Sequence, residues 1–208
     1  MTKLAPCCKQ LPLLEVIPSG VILSNAHARN AYGCAIQELV CKTLDLYPIP
    51  INGNYAICFD AEGKDGQQYE IKSVHRQGKV VLYDWRMKKE AGAGVPLLYA
   101  VLVHCVRGAR SQADLWRQIR ETPCRLIVLP AETVHSVGTA YPLNTIKRES
   151  KNPRNGYTRA GYKDGYRNLP VSALAALTER KETRAVELFG QSFRVDLYAP
   201  STLEIESK

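Results

Sequence analysis

Asn54–Val74, NYAICFDAEGKDGQQYEIKSV, is the stretch from which the rest of the chain is read. Tyr55, Ile57 and Phe59 alternate with Ala56, Cys58 and Asp60, which is the period of a β-strand. Glu62-Gly63-Lys64-Asp65-Gly66 carries turn chemistry, with glycines suited to positive φ. QQYEIKSV follows as a second strand. In such a hairpin Asp60 and Glu70 fall roughly opposite one another. Glu70 and Lys72 are two apart and share a face, while Ile71 points the other way, into a core.

Outward from the hairpin, the spacing predicts a helix over AHARNAYGCAIQELVCKTLDLY, capped at Ser24 or Asn25 and stopped by Pro48. Ile36, Leu39, Val40, Cys41 and Leu44 form its apolar stripe, with Glu38 beside that stripe. On the other side, KVVLYDWRM reads as a third strand, completing an antiparallel meander. VPLLYAVLVHCV is a near-continuous apolar run, the mark of a central strand buried on both faces. SQADLWRQIRETP reads as a helix capped by Ser111, with Leu115, Trp116 and Ile119 inward and Pro123 ending it. CRLIVLPAETV is another buried strand, and strand–helix–strand implies a right-handed crossover and a mixed sheet. PVSALAALTERKETRAVELFG reads as a strong helix, with FRVDLYAPS as a last strand. The expected fold is α/β, a mixed β-sheet flanked by helices.

At 208 residues the chain fits one domain, 1–208, with a core over about 25–135 and an appended loop and C-terminal helix over 138–208. With 45% apolar and 23% charged residues the composition is that of a globular protein, not a disordered one. Seven cysteines, an odd count without a CxxC pair, read as reduced core residues of a cytoplasmic protein. No apolar run is long enough to suggest a transmembrane helix. No P-loop or dinucleotide fingerprint is present, so no nucleotide cofactor is expected.

The net charge of +8 is an electrostatic footprint suited to a polyanion. It concentrates in Lys147–Arg167, which holds seven Lys/Arg against two acids, with glycines at 156, 161 and 165. Lys147, Arg148, Lys151, Arg154, Arg159, Lys163 and Arg167 are suited to phosphates, and Tyr157, Tyr162 and Tyr166 to base stacking or phosphate hydrogen bonds. A smaller cluster, Arg86, Lys88 and Lys89, follows the third strand. Double-stranded DNA is the expected partner.

Two carboxylates, Asp60 and Glu70, form the type of ligand set magnesium takes, hard oxygens and few of them. The backbone carbonyl of Ile71 is a further candidate ligand. Lys72 is placed to stabilise charge on a phosphate or to act on the attacking water; the two roles stay open.

Phe59-Asp60 and Glu70-Ile71-Lys72, with Glu38 on the preceding helix, resemble the PD-(D/E)xK nuclease superfamily of restriction enzymes, resolvases and repair nucleases. Phe59 stands where the superfamily's name has proline, a position that varies among its members. The resemblance implies an αβββαβ core over roughly 25–135 and Mg²⁺-dependent cleavage of DNA, with Mn²⁺ able to substitute. It also implies a catalytic set of Asp60, Glu70 and Lys72, with Glu38 as a helix acid. A compact chain with a recognition loop suits a type II restriction endonuclease. Such an enzyme is expected to be a homodimer, because cutting both strands needs two sites. The segment Ser172–Gly190, expected as a helix, is the candidate dimer or DNA-proximal surface. The alternatives are a structure-selective or repair nuclease of the same superfamily and a non-catalytic basic DNA-binding protein.

Overall fold

The computed structural model describes residues 25–49, 59–83, 97–109, 112–135, 137, 139–141 and 166–205. In chain order these form α1 (Asn25–Leu44), β1 (Tyr47–Pro48), β2 (Ala61–Glu62), β3 (Gln68–His75), β4 (Lys79–Tyr83) and β5 (Leu97–His104). Then come α2 (Gln112–Glu121), β6 (Cys124–Pro130), α3 (Ala131–His135), β7 (Thr139–Tyr141), β8 (Tyr166–Pro170), α4 (Val171–Ala175), β9 (Glu179–Leu188) and β10 (Gln191–Ala199). The architecture is mixed α/β. A seven-stranded mixed sheet, ordered β1-β2-β3-β5-β6-β10-β9, is flanked by helices. A separate three-stranded antiparallel sheet is ordered β4-β8-β7.

β5 sits near the middle of the large sheet because both of its faces are apolar. All eight of its residues are buried. Leu98, Ala100 and Leu102 face one core with Ile36, Leu39 and Val40 of α1 and Leu115, Trp116 and Ile119 of α2. Leu97, Tyr99, Val101 and Val103 face a second core with Val80, Val134, Leu169 and Leu174. Two faces packed on apolar layers remove the alternation that a half-solvated strand shows, hence the continuous apolar run. The described cysteines are free, and Cys41 and Cys124 are buried. Burial, with Cys105 nearby, pushes the Cys124 thiol up to about 12, as befits an inert core residue.

Five sequence expectations are corrected. β4 does not continue a meander with β3; it pairs with β8, antiparallel, over Lys79↔Pro170 to Tyr83↔Tyr166. Both edges of β3 are already taken, one by β2 and the other by β5 in parallel register, Glu70↔Tyr99 through His75↔His104. β5 and β6 are antiparallel neighbours, Leu98↔Pro130 to Val103↔Arg125, and no crossover joins them. The 105–109 segment folds back on α2, where Arg107 N–H donates to Gln118 Oε1 (2.9 Å) and Gln118 Nε2 donates to Arg107 O (3.3 Å). The apolar strand reading of CRLIVLPAETV stops at Pro130, and Ala131–His135 is helical.

The helix expected over 172–190 is one short helix, α4, followed by a strand. β9 pairs antiparallel with β10 from Glu179↔Ala199 to Leu188↔Gln191. β10 in turn lies parallel to β6. The Ala/Leu-rich start of this segment favours a helix locally, but pairing with β10 overrides that weak preference. The hairpin turns at Phe189 (φ 52°) and Gly190 (φ 69°), two consecutive positive-φ residues as a type I′ turn requires. The expected strand through Tyr55–Asp60 lies outside the described residues up to 58. Phe59 and Asp60 precede β2 rather than belonging to it.

Candidate functional site

The β2–β3 hairpin is short but tied at several points. Ala61 pairs with Tyr69 and Glu62 with Gln68. Its turn is closed by Gly63 N–H to Gln67 O (2.8 Å), with Gly66 at φ 82°. Continuing the register one step would set Asp60 opposite Glu70. At Asp60 the chain bends. The ladder to β3 gives way there to one backbone bond, Asp60 N–H to Tyr69 O, and the Asp60 side chain takes over: Oδ2 accepts the backbone N–H of Ile71 at 2.8 Å.

Asp60 is thus held on all sides. Its own N–H donates to Tyr69 O (2.8 Å), and its carbonyl accepts Ile49 N–H (3.0 Å) and Gln37 Nε2 (3.2 Å). The carboxylate arrives at the peptide between Glu70 and Ile71. A side chain fixed by its own backbone and by a neighbouring strand is preorganised, losing little freedom when it binds a ligand.

Alternation on β3 sorts the next three residues as the sequence requires. Ile71 is buried in the core beneath α1. Glu70 and Lys72 take the other face, the face to which Val74 belongs. Glu70 is 1% exposed. Its Oε1 accepts a charge-assisted hydrogen bond from Lys72 Nζ, and the Lys72 side chain is 28% exposed. A buried carboxylate is costly unless paired, so the ammonium is a condition of Glu70's placement. Lys72, by contrast, keeps access to solvent.

The structure therefore brings the Asp60 carboxylate to the Ile71 N–H and, as a separate contact, the Lys72 ammonium to Glu70. Glu38 is on α1, half-buried. Burial raises its carboxyl above the ordinary glutamate range, against the pull of Lys42 one turn on. The hydrogen bond described from this stretch of α1 to the hairpin comes from Gln37, which the sequence did not single out. Nothing in a lone glutamine beside an apolar stripe marks it in advance; only the three-dimensional docking of α1 on Asp60 does.

Lys88, Lys89, Lys147, Arg148, Lys151, Arg154, Tyr157, Arg159, Tyr162 and Lys163 lie outside the described residues. Arg167 is in β8, opposite Leu82 of β4 and Ala140 of β7. The neighbouring register line joins Tyr83, Tyr166 and Tyr141 across all three strands. The chain leaves the small sheet after Tyr83 and after Tyr141 and returns to it at Tyr166. Both basic stretches are therefore tethered at one end of one small sheet, about 5–10 Å apart at their roots, given a strand spacing of about 4.8 Å.

The donors that a divalent cation would take here are those of Asp60 and Glu70. They are hard oxygens, and Glu70 already accepts a cationic group, the Lys72 ammonium. Ile71 adds a carbonyl that leaves the strand on the same edge as its N–H, the edge where Asp60 sits. Among the described residues no three His, Cys, Asp or Glu side chains gather closely enough to hold a metal. A metal here would rest on two carboxylates and a carbonyl, with water completing the shell. Magnesium commonly uses that kind of set.

No family model, curated protein or solved structure matches the chain. Among the described residues no helix is long and apolar enough to cross a membrane.

Proposed function

We propose that the protein is a Mg²⁺-dependent DNA endonuclease of the PD-(D/E)xK type, acting as a homodimeric type II restriction enzyme. The observation that carries this reading is the Asp60 carboxylate bonded to the Ile71 peptide N–H, beside the buried Glu70–Lys72 pair. The tethering of both basic stretches at one end of the small sheet supports DNA as the polyanion. The same hairpin suits a structure-selective or repair nuclease equally well at the level of chemistry.

Asp60 and Glu70 would hold the metal, with the Ile71 carbonyl as a neutral third donor. Bound magnesium would polarise the scissile phosphate and acidify a water molecule. Lys72 serves at the reacting phosphate. While protonated it offsets negative charge on the phosphorane; deprotonated, it accepts a proton from the attacking water. Water adds to phosphorus and the P–O bond to one sugar oxygen breaks, leaving a phosphate monoester and an alcohol. Asp60, fixed at its N–H, carbonyl and carboxylate, keeps its charge in place without reorganisation during that step.

The test incubates plasmid DNA with the protein in Mg²⁺, in Mn²⁺ and in EDTA. Cleavage is expected in either metal and not in EDTA. Asp60→Ala and Lys72→Ala are expected to abolish cleavage while DNA binding, read by gel shift, persists. DNA left intact in both metals but bound without either would leave a non-catalytic DNA-binding protein. Cleavage retained by both variants would place the active site elsewhere.

A further inference from the structure

Resting on the nuclease reading, we infer that Gln37 is a positioning residue for Asp60, the point through which α1 serves the metal site. Gln37 Nε2 reaches the Asp60 carbonyl across 23 positions of sequence at 3.2 Å. That carbonyl also receives the Ile49 N–H, at 3.0 Å. Two donors on one carbonyl fix the plane of the Asp60 peptide. Fixing that plane sets the direction in which the Asp60 side chain leaves the backbone.

The need for such a brace follows from the hairpin. β2 spans two residues, and its ladder to β3 stops at Ala61. Asp60 lies just past that ladder and keeps one backbone bond to β3, its N–H to Tyr69 O at 2.8 Å. Its carboxylate must still meet Ile71 N–H at 2.8 Å. α1 supplies the missing rigidity. Its apolar stripe, Ile36, Leu39 and Val40, is locked in the core with Ile71. Gln37 is adjacent to Ile36 on that locked helix, so its amide is presented from a fixed base. Helix, bend and β3 then form a closed loop of contacts: Ile36 packs in the core with Ile71, Ile71 donates to Asp60, and Asp60 accepts from Gln37.

Removing a hydrogen bond one step outside a metal's ligands typically costs about 10–100-fold in metal affinity. The expected loss for Gln37→Met, which keeps the length of the side chain and removes the donor, is about tenfold in Mn²⁺ affinity. Mn²⁺ binding is read directly from the electron paramagnetic resonance signal of the free ion. A second readout needs no metal. The Ile71 amide, followed by ¹⁵N–¹H NMR, should shift and exchange faster in Gln37→Met as its bond to Asp60 loosens. Cys41→Ala, a truncation in the core face of the same helix, is the comparison, since Cys41 is a buried core residue whose side chain has no described bond to Asp60. It should lower the melting temperature while leaving Mn²⁺ affinity and the Ile71 amide unchanged.

Wild-type protein that binds Mn²⁺, with Gln37→Met binding it equally and showing an unmoved Ile71 amide, would overturn the role of Gln37 and leave the nuclease reading intact. Equal losses in Gln37→Met and Cys41→Ala would also overturn it, because general loosening of α1 would then suffice. Wild-type protein that binds no Mn²⁺ and cleaves no DNA would remove the nuclease reading itself.

Discussion

Replacing His104 with asparagine should flatten the acid side of the protein's stability profile. His104 ends β5, in register with His75 at the end of β3, and the two rings meet edge to face at 6.0 Å between centroids. His104 is 8% exposed, and its Nδ1 accepts Val106 N–H at 3.2 Å. Burial, then the facing His75, lowers its pKa from 6.5 to about 4. The folded protein thus keeps this ring neutral where the unfolded chain protonates it. The resulting stability is fully present above pH 6.5 and is lost as pH falls towards 4. At 1.36 kcal/mol per pH unit the whole term is about 3.4 kcal/mol, and about 2 kcal/mol of it disappears between pH 7.5 and pH 5. In a chain of this length, 2 kcal/mol corresponds to about 4–8 °C in Tm. Asparagine can keep an acceptor near the Nδ1 position for Val106 N–H, and it does not titrate. Thermal melts of both proteins at pH 7.5, 6 and 5 provide the comparison, read as slopes so that any constant packing loss cancels. Parallel slopes would refute the reasoning, because His104 would then be protonated alike in the folded and unfolded states.

Two further substitutions test local physics. Glu38→Gln removes a carboxyl that burial holds above its ordinary range. The cost of ionising it is absent in acid and present at neutral pH, so the variant should gain stability relative to wild type at pH 7 and not at pH 4. An equal gain at both, in urea titrations, would mean that ionisation is not its cause. Gly190→Ala should cost about 1–2 kcal/mol, because φ is 69° there and the left-handed region disfavours a Cβ. Nothing lies within 4 Å of the added methyl, so an unchanged melting curve would contradict a purely backbone cost.

Much of the fold was legible where one periodicity dominates. The stripe Ile36–Val40 identified α1, the apolar run identified β5, and alternation put Ile71 in the core with Glu70 and Lys72 opposite. What alternation does not encode is the partner at a strand's edge. KVVLY is a strand by pattern, yet it pairs with β8, 83 residues or more along the chain, because β5 occupies the edge of β3 that a meander would use. Nor does composition separate a helix from a strand in SALAALTERKETRAVEL. Its outcome depends on β10 lying alongside. At the candidate site, residue types and spacing singled out Asp60, Glu70 and Lys72. The bond from Ile71 N–H and the brace from Gln37 depend on a bend at Asp60, and no sequence period records a bend.

The position of that bend explains why the Asp60 carboxylate meets the Ile71 peptide. A strand leaving its ladder exposes the N–H and C=O of the residue it no longer faces, and those groups must find partners or water. Where β2 gives way at Asp60, the Ile71 N–H would be such a group, and the Asp60 carboxylate accepts it. A residue at position 60 without a side-chain acceptor would leave the N–H unmet; an aspartate meets it with one oxygen and has lone pairs to spare on the other. The same break leaves the Ile71 carbonyl directed to that edge. One step along β3, the buried Glu70 carboxylate is paired with the Lys72 ammonium, which offsets its charge. A cation arriving at Glu70 would relieve Lys72 of that role and leave the ammonium, already partly open to solvent, available to a phosphate. The ladder break and the ion pair are thus coupled: the first directs oxygens to one edge, and the second keeps a positive charge in reserve beside them.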